Sequence, residues 1–111
     1  ILAFLPLERQ EEILQHTQLV PLTPKTITNP AILREEFKKA RAQGCAVSFG
    51  EWVEDASGVA SPILARDGNV VGALAISGPT SRFTDENVAK YRDAVKRVAV
   101  QISESLGYNA G

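Results

Sequence analysis

The chain has 111 residues, of which 44% are hydrophobic and 23% charged, and these values are typical of one soluble globular domain. A formal net charge of −1 gives it no overall electrostatic attraction to nucleic acid. One cysteine and one histidine exclude an internal disulfide and a Cys-rich zinc site, and no apolar stretch is long enough to span a bilayer. We therefore expect no metal, no other cofactor and no membrane contact.

The first 28 residues predict one short helix between two irregular stretches. ILAFL, at the start, looks like the end of an element that begins upstream, so we expect a domain truncated at its N-terminal side. Pro6 followed by LERQEEILQH predicts a helix with a proline near its first turn and acids early. Two prolines and four threonines between Thr17 and Thr28 predict a loop or an extended passage.

A second helix is predicted from its two end signals. Asn29 and Pro30 are an N-cap side chain followed by proline at the first helical position. Gly44 is placed to end the helix in the left-handed conformation. Helical spacing of the apolar residues predicts one inward face, formed by Leu33, Phe37 and Ala40.

Three strands are predicted next, over Cys45–Trp52, Val59–Ala65 and Val70–Ile76. Pro62 places the second strand at an edge or next to a bulge. The sequence Asp-Gly-Asn at 67–69 predicts a tight hairpin turn between the second and third strands. Alternation along the third strand assigns its residues to two faces, with Gly72, Leu74 and Ile76 on one and Ala73, Ala75 and Ser77 on the other.

The last predicted element is a long amphipathic helix. Thr84 is its N-cap, Asp85 and Glu86 suit its positive end, and Gly107 ends it. Its apolar stripe consists of Val88, Tyr91, Val95, Val98, Ile102 and Leu106. The order helix, helix, three strands, helix predicts an α+β fold, an antiparallel sheet with helices packed on one face.

Few residues here favour catalysis. The only histidine, His16, sits at a helix end where a solvated or capping role is favoured, and Cys45 is favoured as a small buried residue over a reactive thiol. Glu51, Glu54 and Asp55 form an acidic cluster that is either a solvated loop or a set of acid–base or cation-binding carboxylates. With no base predicted beside a nucleophile, we expect no enzyme activity.

Small and hydroxylic residues concentrate on or near the predicted strands. They are Ser48, Gly58, Ser61, Ala75 and Ser77. Such residues suit a compact pocket for a polar small molecule, and they equally suit a close contact between a helix and a sheet. The residue types alone leave both interpretations open.

Several motifs, taken in order, resemble one family of proteins. The corner AISGPTSRFT, at 75–84, is similar to a Ser-Gly-Pro motif of the IclR family of bacterial transcription regulators. Four further pieces are similar to family segments in the same order: ILAFLP, TITNPAILREEFKKARAQGCAV, ASPILARDGNVVGALAISGP and the final Leu106-Gly107-Tyr108. The resemblance covers essentially the whole chain.

This resemblance implies that residues 1–111 are a single, partial IclR-type effector-binding domain with a GAF-like α+β fold. In the family, polar contacts to the effector come from positions that match Ser48, Gly58, Ala75 and Ser77 here. Gly58 and Ala75 offer no side-chain hydrogen bond, so we expect a roomier and less polar pocket, for a larger organic or aromatic acid. Candidate walls of this pocket are Trp52 and Ser61, although a plain core or interface role is favoured for Trp52.

The resemblance also implies the partners and the mechanism. A winged helix-turn-helix absent from this chain would bind DNA. The effector, a carboxylic acid, would bias the arrangement of domains in a homodimer or homotetramer, and this arrangement would change the affinity for the operator. A cytoplasmic location follows. The alternatives are an oligomerisation or interaction module without a ligand and, less favoured, a small enzyme.

Overall fold

A computed structural model describes residues 1–109; the predicted domain runs to Gly111, and its last two residues lie outside the described part. The elements are α1 (Leu7–His16), α2 (Pro30–Gln43), β1 (Ala46–Phe49), β2 (Ala56–Leu64), β3 (Val70–Pro79) and α3 (Asp85–Ser105), with one-turn 3-10 segments at Leu2–Phe4 and Thr80–Arg82. The predicted α+β order of two helices, three strands and a long helix is confirmed.

The three strands form one antiparallel sheet in the order β1-β2-β3. The predicted hairpin turn joins β2 to β3, with Gly68 at φ +85° and the Asp67 carboxylate accepting from the backbone N–H of Asn69 at 3.0 Å. Pro62 lies in the central strand, so of the two predicted positions, an edge or a bulge, the edge is wrong and the bulge is confirmed by a register shift between Ile63 and Leu64. Proline is tolerated there because β1 begins opposite Ala60, which leaves β2 with one strand neighbour at Pro62.

The strand ends differ from those predicted. β3 continues to Pro79 because Ala56 and Ser57 of β2 pair with Pro79 and Gly78, so the predicted corner begins only at Thr80. β1 ends at Phe49 because Gly50 takes up φ +66°, a conformation that leaves the strand region. Trp52 consequently lies in the loop between β1 and β2 and not in a strand.

The helix ends follow the predicted signals. The Asn29 side chain accepts from the backbone N–H of Ala31 at 2.9 Å, and Gly44 ends α2 at φ +77°. The Thr84 hydroxyl accepts from the backbone N–H of Asn87 at 3.2 Å, and Gly107, at φ +96°, lies two residues beyond Ser105, the last residue of α3. Local capping chemistry therefore determines where α2 and α3 begin and end.

One core cluster lies between α3 and the sheet. Val59 of β2, Val95 of α3 and Phe83 are buried together, and the Phe83 ring meets the Tyr91 ring edge-on at 5.3 Å. Of the predicted apolar stripe of α3, Val88, Tyr91 and Val95 pack in this cluster, Val98 and Ile102 are half-buried, and Leu106 is exposed because α3 has ended before it. Among residues 1–109, no helix is long and apolar enough to cross a membrane.

A second cluster joins α1, α2 and the segment before them. It consists of Ala3, Leu14, Phe37 and Ala40. Two hydrogen bonds from the Arg34 guanidinium to the Glu11 carboxylate, at 2.7 and 2.9 Å, link α2 to α1 at its rim. This hydrogen bonding, together with the charge of Arg34, holds the pKa of Glu11 below its ordinary value.

A buried serine connects α3 to the irregular end of β2. The Ser103 hydroxyl donates to the carbonyl oxygen of Ala99 at 2.8 Å and accepts from the backbone N–H of Leu64 at 2.9 Å. Leu64 follows the register shift in β2. Ser103 thus satisfies a backbone group at the point where the strand pairing is irregular.

We predict that Ser103→Ala destabilises the fold because it leaves the Leu64 N–H without its partner. The expected loss is about 1–3 kcal/mol, measured by chemical denaturation. Ser105→Ala is the matched control, because Ser105 is exposed in the same helix and its hydroxyl bonds only to the carbonyl oxygen of Gln101. This control measures the change in stability that comes from the higher helix propensity of alanine alone. Equal stabilities of the two variants would contradict this role for Ser103.

Candidate functional site

The sheet has one face covered by α3 and one face that α3 does not cover. Because side chains alternate along a strand, the residues that share a face follow from the register. We call the face opposite α3 the outer face. Its residues are Ala46, Ser48, Ala56, Gly58, Ala60, Pro62, Val71, Ala73, Ala75, Ser77 and Pro79. None of them is fully buried, whereas Ser57, Val59 and Ser61, which alternate with them in β2, are buried.

Three of the four predicted effector contacts lie in one row across the outer face. Gly58 pairs with Ser48 on one side and with Ser77 on the other. The fourth, Ala75, lies in the next row of this face, where it pairs with Ala60. Neighbouring strands are about 4.8 Å apart, so the Cα atoms of Ser48 and Ser77 are about 10 Å apart. The structure therefore brings all four residues together.

Both hydroxyls in this row are available. Within residues 1–109, neither the Ser48 nor the Ser77 side chain has a hydrogen-bond partner, and Ser77 is exposed. Gly58 lies between them without a side chain, and the Cβ that it lacks would meet only ordinary van der Waals contacts, 3.5 Å from the carbonyl oxygen of Ile76. The row is thus a shallow depression between two hydroxyl groups.

The two candidate pocket walls lie elsewhere. Ser61 is buried on the α3 side of the sheet, where its hydroxyl donates to the carbonyl oxygen of Gly44 at 2.8 Å. It lines a cavity of about 220 Å³ beside Val100 and Tyr108. Trp52 is 77% exposed in the loop between β1 and β2. The structure brings neither of them into the row of Ser48, Gly58 and Ser77.

A larger cleft runs along the free edge of β1. Its volume is about 710 Å³, and of the four predicted contacts only Ser48 lines it. Apolar side chains of α2 and β1 line the cleft, together with three cations and three acids, which are Lys25, Lys39, Arg92, Glu36, Glu51 and Asp85. Ser48 is therefore the residue at which the outer face meets a cleft that contains charged groups of both signs.

Two hydrogen bonds between the segment before α2 and the loop between β1 and β2 were not predicted from the sequence. The Thr23 hydroxyl donates to the carbonyl oxygen of Gly50 at 2.5 Å, and the Thr26 hydroxyl donates to that of Glu51. The two threonines hold the β1–β2 loop against the segment before α2. The only signal in the sequence was the abundance of threonine in that segment, which indicates local turns without naming a partner.

The groups considered for catalysis are dispersed. His16 is exposed at the end of α1, and Cys45 is 1% exposed behind β1. In the described part of the chain, no three residues of the types His, Cys, Asp and Glu are grouped so that they could hold a metal ion. Of the predicted acidic cluster, Glu54 and Asp55 are exposed and Glu51 is half-buried, so Glu54 and Asp55 are solvated loop residues.

Comparison with known sequences gives one family. The sequence model described as "Bacterial transcriptional regulator IclR C-terminal" matches residues 1–104. The HTH-type transcriptional regulator KipR of Bacillus subtilis is 32% identical over 108 residues, which are 97% of this chain and 43% of KipR. The HTH-type transcriptional repressor AllR of Klebsiella pneumoniae is 34% identical over 103 residues, which are 93% of this chain and 38% of AllR.

Solved structures agree with these sequence matches. The IclR protein of Thermotoga maritima superimposes with a TM-score of 0.95 at 41% identity, over 97% of this chain and 44% of that one. The C-terminal domain of Escherichia coli KdgR superimposes with a TM-score of 0.88 at 30% identity, over 96% of this chain and 65% of that one. The relatives are transcriptional regulators and not enzymes, and this chain spans about two fifths of the length of the curated ones. The chain belongs to the IclR family of bacterial transcriptional regulators and corresponds to part of their C-terminal region.

Proposed function

We propose that this chain senses a small organic or aromatic acid and that the effector binds across the row of Ser48, Gly58 and Ser77 on the outer face. The observation that carries the proposal is this row itself. It joins two free hydroxyl groups across a glycine on a face that α3 leaves uncovered. Small-molecule sites combine an apolar lining with a few placed polar groups, and the row offers two hydroxyl groups beside alanine side chains.

The chemistry of the row favours an amphipathic ligand. Ala60 and Ala75 form an apolar surface beside Gly58, which suits the body of an aromatic or aliphatic acid. The carboxylate needs a charged or hydrogen-bonding partner, because an unpaired polar group loses about 2–7 kcal/mol on burial. Ser48 and Ser77 have no hydrogen-bond partner among residues 1–109, so we assign their hydroxyl groups as the donors to the carboxylate.

In the full-length regulator, we propose that effector binding changes the affinity for the operator through the oligomer. The relatives carry the designation HTH-type, and DNA would be bound by that part and not by this chain, whose net charge is −1. An effector changes operator binding only if it binds one arrangement of the oligomer more tightly than another. This mechanism places the protein in the cytoplasm, where the DNA is.

A thermal-shift screen of this chain against acids from two carbons to substituted benzoates tests the proposal. A ligand at about 100 times its Kd adds roughly 2.7 kcal/mol of stability, which gives a clear shift of the melting temperature. We predict that Ser77→Ala weakens binding of the selected acid by about 1 kcal/mol, or roughly fivefold, because one hydrogen bond is lost.

Ser81→Ala is the control for this prediction. Ser81 is exposed in the 3-10 segment outside the sheet, so its removal should leave the Kd unchanged. An affinity of Ser77→Ala equal to that of the unmodified chain would remove Ser77 from the site. A panel in which no acid shifts the melting temperature would contradict acid sensing by this chain.

Filling the depression gives a second test. We predict that Gly58→Ala keeps or raises stability, by up to about 1 kcal/mol, because the new methyl group fits without a clash. The same methyl group occupies the space between the two hydroxyls, so the affinity for the acid should fall about tenfold, or ~1.4 kcal/mol. Isothermal titration calorimetry measures the affinity.

Gly72→Ala is the matched control for Gly58→Ala. Gly72 is in β3 on the face toward α3, and a Cβ there would have no neighbour within 4 Å. It should leave the affinity unchanged. If Gly58→Ala binds the acid as tightly as Gly72→Ala does, the ligand does not lie over Gly58.

A further inference from the structure

The cavity of about 220 Å³ that Ser61 lines opens where β2 has lost its neighbour β1. β1 begins opposite Ala60, so the part of β2 beyond Ala60 lies next to the end of α2 and not next to a strand. The Ser61 hydroxyl joins this part of β2 to Gly44. We call the opening the Lys96 cavity, after a cation in its lining. Its apolar lining comes from Phe4, Pro62, Leu64 and Val100.

The two serines of the cavity have no proton to offer a ligand. The Ser61 hydroxyl donates to the carbonyl oxygen of Gly44 at 2.8 Å, and the Ser103 hydroxyl donates to that of Ala99 at 2.8 Å. A hydroxyl group has a single proton, so both protons are used within the protein. Neither serine can therefore donate to a bound molecule, which leaves the binding of an anion to other groups.

Two charged side chains of α3 line the cavity, those of Lys96 and Glu104. Val100 lies midway between them in the sequence, and residues four apart share one face of a helix. At a rise of 1.5 Å per residue, the Cα atoms of Lys96 and Glu104 are about 12 Å apart. Within residues 1–109, neither side chain forms an ion pair. The cavity thus has an unpaired cation towards one end and an unpaired acid towards the other.

The Lys96 side chain packs against the end of α2. Its Cε atom lies 3.3 Å and its Nζ atom 3.8 Å from the position that a Cβ on Gly44 would occupy. Gly44 leaves room for the lysine side chain because it has none of its own. Among the described residues, the ammonium group of Lys96 has no hydrogen-bond acceptor, so its three N–H groups are available to an anion.

We propose that the Lys96 cavity binds a small monocarboxylic acid with an apolar body, as a site separate from the row of Ser48, Gly58 and Ser77. The carboxylate accepts hydrogen bonds from the ammonium group of Lys96, and the apolar body lies against Val100. An apolar cavity of about 150 Å³ holds benzene, so this one suits an acid of about six carbon atoms. The proposal does not depend on effector binding in the row.

Glu104 gives the cavity a preference among charged ligands. A dicarboxylic acid of the same length would bring its second charge towards Glu104, and like charges repel. An amine has the favourable sign for Glu104, but a cationic side chain already lies at this end of α3. Three carbon atoms of Arg66 are 3.4 Å from the position of a Cβ on Gly107. The charges around the cavity therefore favour a monocarboxylate over both other classes.

NMR titration of the isotope-labelled chain with hexanoate tests the proposal. The amide signals of Gly44, Leu64 and Tyr108 should shift until they saturate, because these residues line the cavity. Hexylamine, which offers Lys96 no acceptor, should bind about tenfold more weakly, and adipate, the dicarboxylate of the same length, should also bind more weakly. Ser77→Ala should leave the Kd measured at Gly44 unchanged, so this test and that of the effector row fail independently.

Removal of the charge identifies the role of Lys96. Lys96→Met keeps an unbranched side chain and should raise the Kd for hexanoate about tenfold, because a charge-assisted hydrogen bond is lost. Lys90→Met is the matched control, since Lys90 is exposed in the same helix, pairs with Glu86 at 3.7 Å and does not line the cavity. Its Kd should equal that of the unmodified chain. Val100→Phe reduces the space without changing a charge and should also weaken binding.

Three results would overturn the proposal. The first is the absence of saturating shifts at Gly44, Leu64 and Tyr108 when hexanoate is added. The second is a Kd of Lys96→Met equal to that of Lys90→Met. The third is tighter binding of hexylamine or adipate than of hexanoate.

Discussion

The packing of α3 on the central strand is the contact on which the rest of the structure depends. Val59 is 0% exposed and Val95 is 1% exposed, and the two belong to one cluster with Phe83. Because side chains alternate along β2, burial of Val59 against α3 directs Gly58 to the other face. A shift of one residue in the register would bury Gly58 and expose Val59, so the same contact that stabilises the core also determines which residues are open to a ligand.

A second constraint acts on the loop between β1 and β2. Gly50 takes the left-handed conformation, and a Cβ there would come within 2.6 Å of the carbonyl oxygen of Glu54. Only glycine fits, and the resulting turn directs the carbonyl groups of Gly50 and Glu51 toward Thr23 and Thr26. The loop is therefore ordered by hydrogen bonds to a segment some 25 residues earlier in the chain and not by an apolar core beneath it.

The fold was predictable from local signals, and its long-range register was not. Asn29, Gly44 and Thr84 have the cap geometry that their residue types favour, because capping involves only neighbours in sequence. Gly78 and Pro79 are turn formers, yet they pair with Ser57 and Ala56, since extension of the ladder outweighs local preference. The length of β3 depends on its pairing with β2, and the propensities of single residues carry no information about such a partner strand.

The candidate site shows the same division. Family resemblance indicated Ser48, Gly58, Ala75 and Ser77, but it did not indicate that three of them form one row; that follows from the pairing of three strands. Ser61 was grouped with them because it is small and hydroxylic. Its place three residues from Gly58 puts it on the opposite face of β2, where Val59 already faces α3. The alternation was visible in the sequence. The face of the sheet that remains open could be identified only once the position of α3 was known.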